Sequence, residues 1–176
     1  MTNTLKCMFD TNVFNRIVDA KITPESLIGH VTAYATHIQR DEINNTKAVE
    51  RRIMLAKVFD DVVSVSDPTA SFVIGTSRLG EARIGGSREV PTTSAVWGVS
   101  RGGKANWSAE DDLYSIFKSE LDKLNQNKPN NIHDALIAET AIKGGYILVT
   151  DDADLATVTK KYGGNCLSVA ELLGKI

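Results

Sequence analysis

The sequence is poor in cysteine and has no long hydrophobic segment. Only Cys7 and Cys166 occur in 176 residues, each in an apolar stretch, so we expect buried free thiols and no disulfide framework. No stretch reaches the roughly 20 consecutive apolar residues that a membrane-spanning helix needs. The opening residues MTNTLK lack the apolar run of a secretory signal peptide. These absences predict a soluble, cytoplasmic protein that does not contact a membrane.

An excess of positive charge is also missing. The 20 Lys and Arg residues are outnumbered by 22 Asp and Glu residues, which gives a formal net charge of −2. This balance excludes binding of nucleic acid through an overall positive charge, so a phosphate-bearing partner must be attracted by a local basic patch or by bound metal. The hydrophobic fraction of 42% is ordinary for a globular protein, and the length predicts a single domain over 1–176.

Short apolar runs alternate with amphipathic segments along the chain. Periodicity predicts strands over 5–9, 31–38, 62–66, 146–150 and 165–167. It predicts helices over 11–19, from Pro24, from 45 or 46 to about 59, from Ser108, and over 131–143 and 152–162. Ser168 and Glu171 have capping-box spacing and predict a C-terminal helix. The strand–helix alternation near the C-terminus indicates right-handed parallel βαβ units, and therefore an α/β fold with a parallel sheet flanked by helices.

Residues 67–107 lack a regular pattern and are rich in glycine, serine and threonine. We interpret them as a loop-rich elaboration within an irregular insertion around 61–128. Between Pro68 and Ser108, five basic residues against two acidic ones predict a nucleic-acid-binding patch made of Arg78, Arg83, Arg88, Arg101 and Lys104. Trp97 and Trp107 are suited to stacking on unpaired bases. The alternative is that these arginines are solvated and the tryptophans pack beneath the loop.

Acidic residues follow several of the predicted strands. Asp10 ends the first strand, Asp41 and Glu42 come between the second strand and its helix, and Asp151 and Asp152 follow the strand over 146–150. Asp134 lies in the first turn of the helix that leads into that strand. In βαβ units these positions share the carboxyl edge of the sheet, where open α/β sheets bind ligands.

Carboxylates gathered at one edge repel each other unless a cation joins them. Hard oxygen ligands suit Mg²⁺ or Mn²⁺, and two such ions roughly 4 Å apart can activate a water and stabilise the leaving oxygen of a phosphodiester. Each acid also has a structural interpretation, because an Asp at a strand-to-helix junction often caps the helix and an acid in a first turn favours the helix dipole. The four positions taken together favour the metal site.

Three segments resemble the motifs of PIN-domain nucleases. FDTNVF at 9–14 is similar to the opening motif, HDALIAETA at 133–141 to the third-acid helix, and LVTDDADL at 148–155 to the fourth-acid motif. THIQRDEINN at 36–45 is similar to the segment that carries the second acid. The resemblance covers 5–60 and 130–172 well and 61–128 poorly.

The resemblance implies a PIN-like three-layer α/β/α fold and Mg²⁺- or Mn²⁺-dependent cleavage of phosphodiesters, with RNA favoured over DNA. It implies that the metal ligands are Asp10, Glu42, Asp134 and Asp152, with Asp154 as an auxiliary ligand and Asp41 as the alternative second acid. Asn12, Thr150 and Asp151 would orient carboxylates or water. Short bacterial members are toxin ribonucleases held by an antitoxin, so the resemblance also implies an antitoxin partner and a homodimer.

Two other functions stay open. One is a PIN-fold module that binds nucleic acid or protein without turnover. The other is a phosphatase of the haloacid dehalogenase type, which also has an Asp after its first strand but needs a second Asp two residues later, where this chain has Asn12. We interpret His133, next to Asp134, as a structural or capping residue, with substrate contact as its alternative.

Overall fold

Five parallel strands form one sheet. The computed structural model describes residues 4–20, 22–83 and 113–176. In these ranges the strands are β1 (Leu5–Phe9), β2 (Val31–Ala35), β3 (Val63–Ser66), β4 (Ile147–Val149) and β5 (Cys166–Leu167). Their order across the sheet is β3-β2-β1-β4-β5, and every pair is parallel. Because β1 is the central strand, its carboxyl end lies between the carboxyl ends of β2 and β4.

Helices connect these strands. They are α1 (Thr11–Asp19), α2 (His37–Asn44), α3 (Val49–Val62), α4 (Leu113–Asn125), α5 (Asn131–Gly144), α6 (Ala153–Lys161) and α7 (Val169–Leu173), with a 3-10 turn at Pro24–Ser26. The capping box of Ser168 and Glu171 begins α7, as predicted. Gly145 ends α5 in the left-handed conformation, with φ 68°, which glycine adopts without strain.

The sheet has a hydrophobic core on each face. Cys7 and Phe9 of β1 join one core with side chains of α1, α3 and α7. Met8, between them in sequence, joins the other core with side chains of α4, α5 and α6. Successive side chains of a strand point to opposite faces, and a strand covered on both faces is apolar throughout. The result is the parallel α/β/α architecture predicted from the sequence.

The segment 36–44 differs from the prediction. The second strand was expected to reach Ile38, but it ends at Ala35 and α2 begins at His37. Thr36 and Gln39 form a capping box that starts this helix. Asp41 and Glu42 therefore lie inside α2, and the prediction that they precede their helix was wrong. The next helix, expected from 45 or 46, begins at Val49.

Both cysteines are buried and free, as predicted. Burial raises the pKa of the Cys7 thiol to about 12 and that of Cys166 to about 11, so neither is a reactive thiolate at neutral pH. Over residues 4–20, 22–83 and 113–176, we find no helix with the length and apolar character needed to span a bilayer.

The irregular segment 67–83 packs on α5 and on Tyr146, the residue before β4. The hydroxyl of Tyr146 donates to Oδ2 of Asp67 at 2.8 Å, and Ser71 donates to Oε1 of Glu139 at 2.8 Å. All four side chains are buried, so these bonds attach the segment to the core. The predicted helix start at Ser108 and the tryptophans Trp97 and Trp107 lie outside the described residues.

Candidate functional site

Asp10 lies at the carboxyl end of the central strand and caps α1. Its Oδ1 accepts a hydrogen bond of 2.6 Å from the backbone N–H of Thr11. Its Oδ2 accepts from the amide of Asn12 at 2.6 Å and from the hydroxyl of Thr150 at 2.7 Å. Only 5% of the residue is exposed. A buried carboxylate with this many donors is held in one orientation.

Asn12 and Thr150 link the ends of β1 and β4. The Asn12 amide nitrogen also donates to Oγ1 of Thr150 at 2.9 Å, and its oxygen accepts from the backbone N–H of Asp151 at 3.2 Å. The Thr150 hydroxyl oxygen accepts in addition from the backbone N–H of Asp152 at 3.0 Å. These two polar side chains therefore bring the loop that carries Asp152 against Asp10.

Glu42, on α2, has a partner on each carboxylate oxygen. The hydroxyl of Thr11 donates to Oε2, and Nδ1 of His133 lies 2.6 Å from Oε1. Asp41, the alternative second acid, instead forms an ion pair of 2.9 Å with Arg78. Adjacent helix positions point about 100° apart, so only Glu42 of the two is directed at Thr11 and His133.

Asp152 and its neighbours surround the start of α6. Asp152 caps this helix, since its Oδ1 accepts from the backbone N–H groups of Asp154 and Leu155 at 2.9 and 3.0 Å. Asp151 points elsewhere: its Oδ1 accepts from the backbone N–H of Val169 at 3.0 Å. For the carboxylate of Asp154 the structure gives no hydrogen bond or ion pair with another described residue, so its auxiliary role stays a prediction.

The electrostatics show that these acids share one neighbourhood. The pKa of Asp134 is raised to about 8, mainly by burial and then by the charges of Asp10, Glu42 and Asp152, whereas His133 lowers it. The pKa of Asp10 is raised to about 6, mainly by burial and then by Glu42 and Asp152, against hydrogen bonds that lower it. Hydrogen bonding to Glu42 raises the pKa of His133. The structure thus brings together the four acids predicted as ligands: Asp10, Glu42, Asp134 and Asp152.

The chemistry of this donor set fits a hard divalent cation. Carboxylates that repel each other in a partly buried pocket are stabilised when a cation lies between them. Within the described ranges, however, no group of three His, Cys, Asp or Glu side chains already has an arrangement that could hold a metal ion. Hydrogen bonds to Thr11, His133 and the α6 backbone engage oxygens of Glu42 and Asp152. Each hydrogen-bonded oxygen keeps a second lone pair, so a cation bound by all four acids would use these lone pairs and would require the four side chains to approach each other more closely.

Two of the five predicted nucleic-acid-binding residues can be placed. Arg78 is 2.9 Å from Asp41 and 3.5 Å from Glu81, and Arg83 is 3.4 Å from Asp67. Both arginines thus have acidic partners within the protein, and contact with nucleic acid stays a prediction. The other three, Arg88, Arg101 and Lys104, lie outside the described residues.

Three residues at the site were missed or undervalued by the sequence analysis. Thr11 and His133 hold Glu42, although His133 was interpreted as structural or capping. Gln39 is fully buried and donates to the backbone oxygen of Phe9 at 2.7 Å, which fixes α2 against the end of β1. Thr36 and Gln39 have the spacing of a capping box, a signal visible in the sequence. No local pattern reports the contacts of Glu42.

The chain matches no family model, and no curated protein matches it by sequence. Among solved structures, a similar one is the crystal structure of FitAcB from Neisseria gonorrhoeae. The two share 12% sequence identity with a TM-score of 0.36, over 92% of this chain and 96% of that chain. At this identity and TM-score the likeness indicates nothing about the activity of this chain.

Proposed function

We propose that this protein is a PIN-type nuclease that hydrolyses phosphodiester bonds with Mg²⁺ or Mn²⁺. The observation that carries the proposal is the gathering of Asp10, Glu42, Asp134 and Asp152 at the carboxyl edge of a parallel sheet, close enough for their charges to interact. That edge is where open α/β sheets bind ligands. A structural role explains the capping bonds of Asp10 and Asp152, but it does not explain why two further acids converge on them.

The protein's own residues prepare this edge for a phosphate. The four carboxylates would hold the cation, which supplies activation of a water and stabilisation of the charge on the scissile phosphate. Asn12 and Thr150 both donate to Oδ2 of Asp10, so the carboxylate group of Asp10 cannot rotate freely. Because Asp10 is buried and Asp134 is partly buried, solvent competes weakly for their oxygens.

RNA is the favoured substrate because the motifs around Asp10, Asp134 and Asp152 resemble those of PIN ribonucleases, and DNA remains the alternative. The same resemblance supports a cytoplasmic toxin with an antitoxin partner and a homodimeric state. Residues 61–128 are where the chain is longer than compact toxins of this type. Co-purification with the product of a neighbouring gene, and light scattering of the isolated protein, test these two assemblies.

Cleavage of labelled RNA and DNA oligonucleotides with Mn²⁺ tests the activity. We expect wild-type protein to cut RNA, and Asp10→Asn, which preserves the size of the side chain, to lose the activity. Asp41→Asn is the matched control, because this neighbouring acid is paired with Arg78. Cleavage that persists in Asp10→Asn would contradict the site.

Two alternatives give different results in the same experiment. A binding module without turnover would retain oligonucleotides uncut in Mn²⁺. A phosphatase would hydrolyse a small phosphomonoester and spare the oligonucleotides. A phosphatase of this type needs a second Asp two residues after Asp10. This chain has Asn12 there, which donates to Asp10 and supplies no second carboxylate, so the phosphatase is disfavoured.

Cation binding can be measured apart from cleavage. A ligand that binds only the folded form raises the melting temperature, so millimolar Mn²⁺ should stabilise the wild type. Asp134→Asn should show a much smaller shift. An equal shift in both proteins would place any bound cation elsewhere.

A further inference from the structure

Glu42 is held on both sides by residues that do not belong to the acidic set. The Thr11 hydroxyl donates to one carboxylate oxygen, and Nδ1 of His133 lies 2.6 Å from the other. A carboxylate only accepts hydrogen bonds, so the proton in the second contact belongs to Nδ1. Each carboxylate oxygen has two lone pairs, and its hydrogen bond occupies one of them, so one lone pair stays free on each oxygen. The carboxylate can thus be fixed by these partners and still ligate a cation.

The two partners come from the two segments that supply the buried acids. Thr11 directly follows Asp10 at the start of α1, and His133 directly precedes Asp134 in the first turn of α5. Glu42, on α2, is 31 positions from Thr11 and 91 positions from His133. The paired contacts therefore set the position of Glu42 relative to Asp10 on one side and Asp134 on the other.

We propose that His133 is a positioning residue, whose Nδ1–H acts with the Thr11 hydroxyl to hold the Glu42 carboxylate for cation binding. This inference rests on the proposed function, because positioning matters only if Glu42 is a ligand. Hydrogen-bonded partners of metal ligands fix ligand orientation, and their loss typically weakens metal affinity or activity about 10- to 100-fold. His133 would contribute through Glu42 and would not need to touch the substrate.

Two substitutions distinguish the roles of the two ring nitrogens of His133. In asparagine the amide nitrogen is attached to Cγ, as Nδ1 is in histidine, so His133→Asn retains a donor toward Glu42 and removes Nε2. In glutamine the amide nitrogen is one atom farther from the backbone, near the position of Nε2, so His133→Gln lacks the donor at the Nδ1 position. Positioning through Nδ1 predicts that asparagine restores function, whereas substrate contact through Nε2 predicts that glutamine does.

The experiment is a Mn²⁺ titration followed by thermal melting, in the intact protein without nucleic acid. We expect His133→Asn to bind Mn²⁺ nearly as wild type does, and His133→Gln to bind about 10- to 100-fold more weakly. Thr11→Ser and Thr11→Val form the parallel pair on the other oxygen, with only valine expected to weaken binding. With RNA as substrate, His133→Gln should lower kcat more than it raises KM, because the defect is in the ligand set.

Other outcomes overturn the inference and are distinguishable from failure of the proposed function. Equal Mn²⁺ affinity in all His133 variants, with lower melting temperatures in EDTA, would reduce the contact to a structural bridge between α2 and α5. Tighter binding in His133→Gln would mean that the contact holds Glu42 away from the cation. Wild-type protein that neither binds Mn²⁺ nor cuts nucleic acid would instead remove the proposed function, and the positioning role with it.

Discussion

The hydroxyl of Thr150 donates a hydrogen bond of 2.7 Å to Oδ2 of Asp10, although the two residues are 140 positions apart. Thr150 is 2% exposed and Asp10 is 5% exposed. This bond joins the ends of β4 and β1, so it sets the distance between the segments that carry two of the proposed ligands. The same hydroxyl oxygen receives the backbone N–H of Asp152. One threonine therefore connects the backbone of the Asp152 loop to the side chain of Asp10.

Replacing Thr150 with valine tests that connection. Valine has nearly the same shape but no hydroxyl, so Asp10 and the backbone N–H of Asp152 each lose a buried partner. We expect the free energy of unfolding to fall by about 1–3 kcal/mol, as for other unsatisfied buried groups. The pKa of Asp10 should rise further, because the bond from Thr150 lowers it. Urea unfolding measures the first effect, and NMR titration of the carboxyl group measures the second.

Thr150→Ser is the control for this substitution, because serine keeps the hydroxyl and removes only a methyl group. It should retain most of the stability and nearly all of the Mn²⁺ affinity. If serine and valine lowered stability and Mn²⁺ affinity to the same extent, the methyl group and not the hydrogen bond would be the important feature of this residue.

Asp41 and Glu42 offer a neighbouring pair in which only one acid faces the proposed site. Glu42→Gln should abolish most of the melting-temperature increase caused by Mn²⁺, since a neutral amide is a poorer ligand and its NH₂ group cannot accept from Thr11 or His133. Asp41→Asn should leave that increase unchanged, because it breaks only the partly exposed pair with Arg78, and such pairs contribute about 0–1 kcal/mol. Thermal melts of both variants with Mn²⁺ and with EDTA measure the difference.

The sequence predicted those parts of the fold that are determined locally. The run from Leu5 to Phe9 is short and, apart from the exposed Lys6, apolar, and it forms the central strand. Ser168 and Glu171 have a spacing that satisfies helix N–H groups within four residues, and they do cap α7. The helix α2 was missed because Val31 to Ile38 is rich in β-branched and aromatic residues, which favour a strand. The capping box of Thr36 and Gln39 outweighs that preference.

The acidic residues of the proposed site were predicted from their positions, since parallel strands place their carboxyl ends together. Their partners could not be found in this way. The contact of His133 with Glu42 joins residues 91 positions apart. It depends on the rotation of α2 and of α5 about their own axes, which decides which side chains face each other. The choice between Asp41 and Glu42 depends on the same rotation. Helix rotation follows from packing of whole faces, which a short motif does not encode.

Gly144 and Gly145 end α5 for two different physical reasons. Gly145 has a φ of 68°, and a Cβ added there would meet no atom of the described residues within 4 Å, so Gly145→Ala introduces backbone strain alone, which costs about 1–2 kcal/mol. At Gly144 an added Cβ would lie 2.2 Å from Cε2 of Tyr146, so Gly144→Ala must displace a buried ring. Urea unfolding should show Gly144→Ala as the less stable variant. Asparagine, which tolerates positive φ, should be accepted better than alanine at position 145 only.

The charge on Asp134 should make the metal-free protein less stable as the pH rises. Its pKa is raised from 3.8 to about 8 by burial and by the charges of Asp10, Glu42 and Asp152. The folded protein therefore holds this proton more tightly than the unfolded chain. The contribution to the free energy of unfolding is fully present below about pH 4 and is lost as the pH rises through about 8.

Asp134→Asn removes this titration, so in EDTA its melting temperature should fall less than that of wild type between pH 6 and pH 9. Mn²⁺ should reverse the comparison, because a cation binds the deprotonated carboxylate and stabilises wild type more as the pH rises. Melting curves at a series of pH values, with EDTA and with Mn²⁺, measure both effects. Parallel curves for the two proteins in EDTA would mean that Asp134 has an ordinary pKa, and that the repulsion among the acids, from which the cation site is argued, is absent.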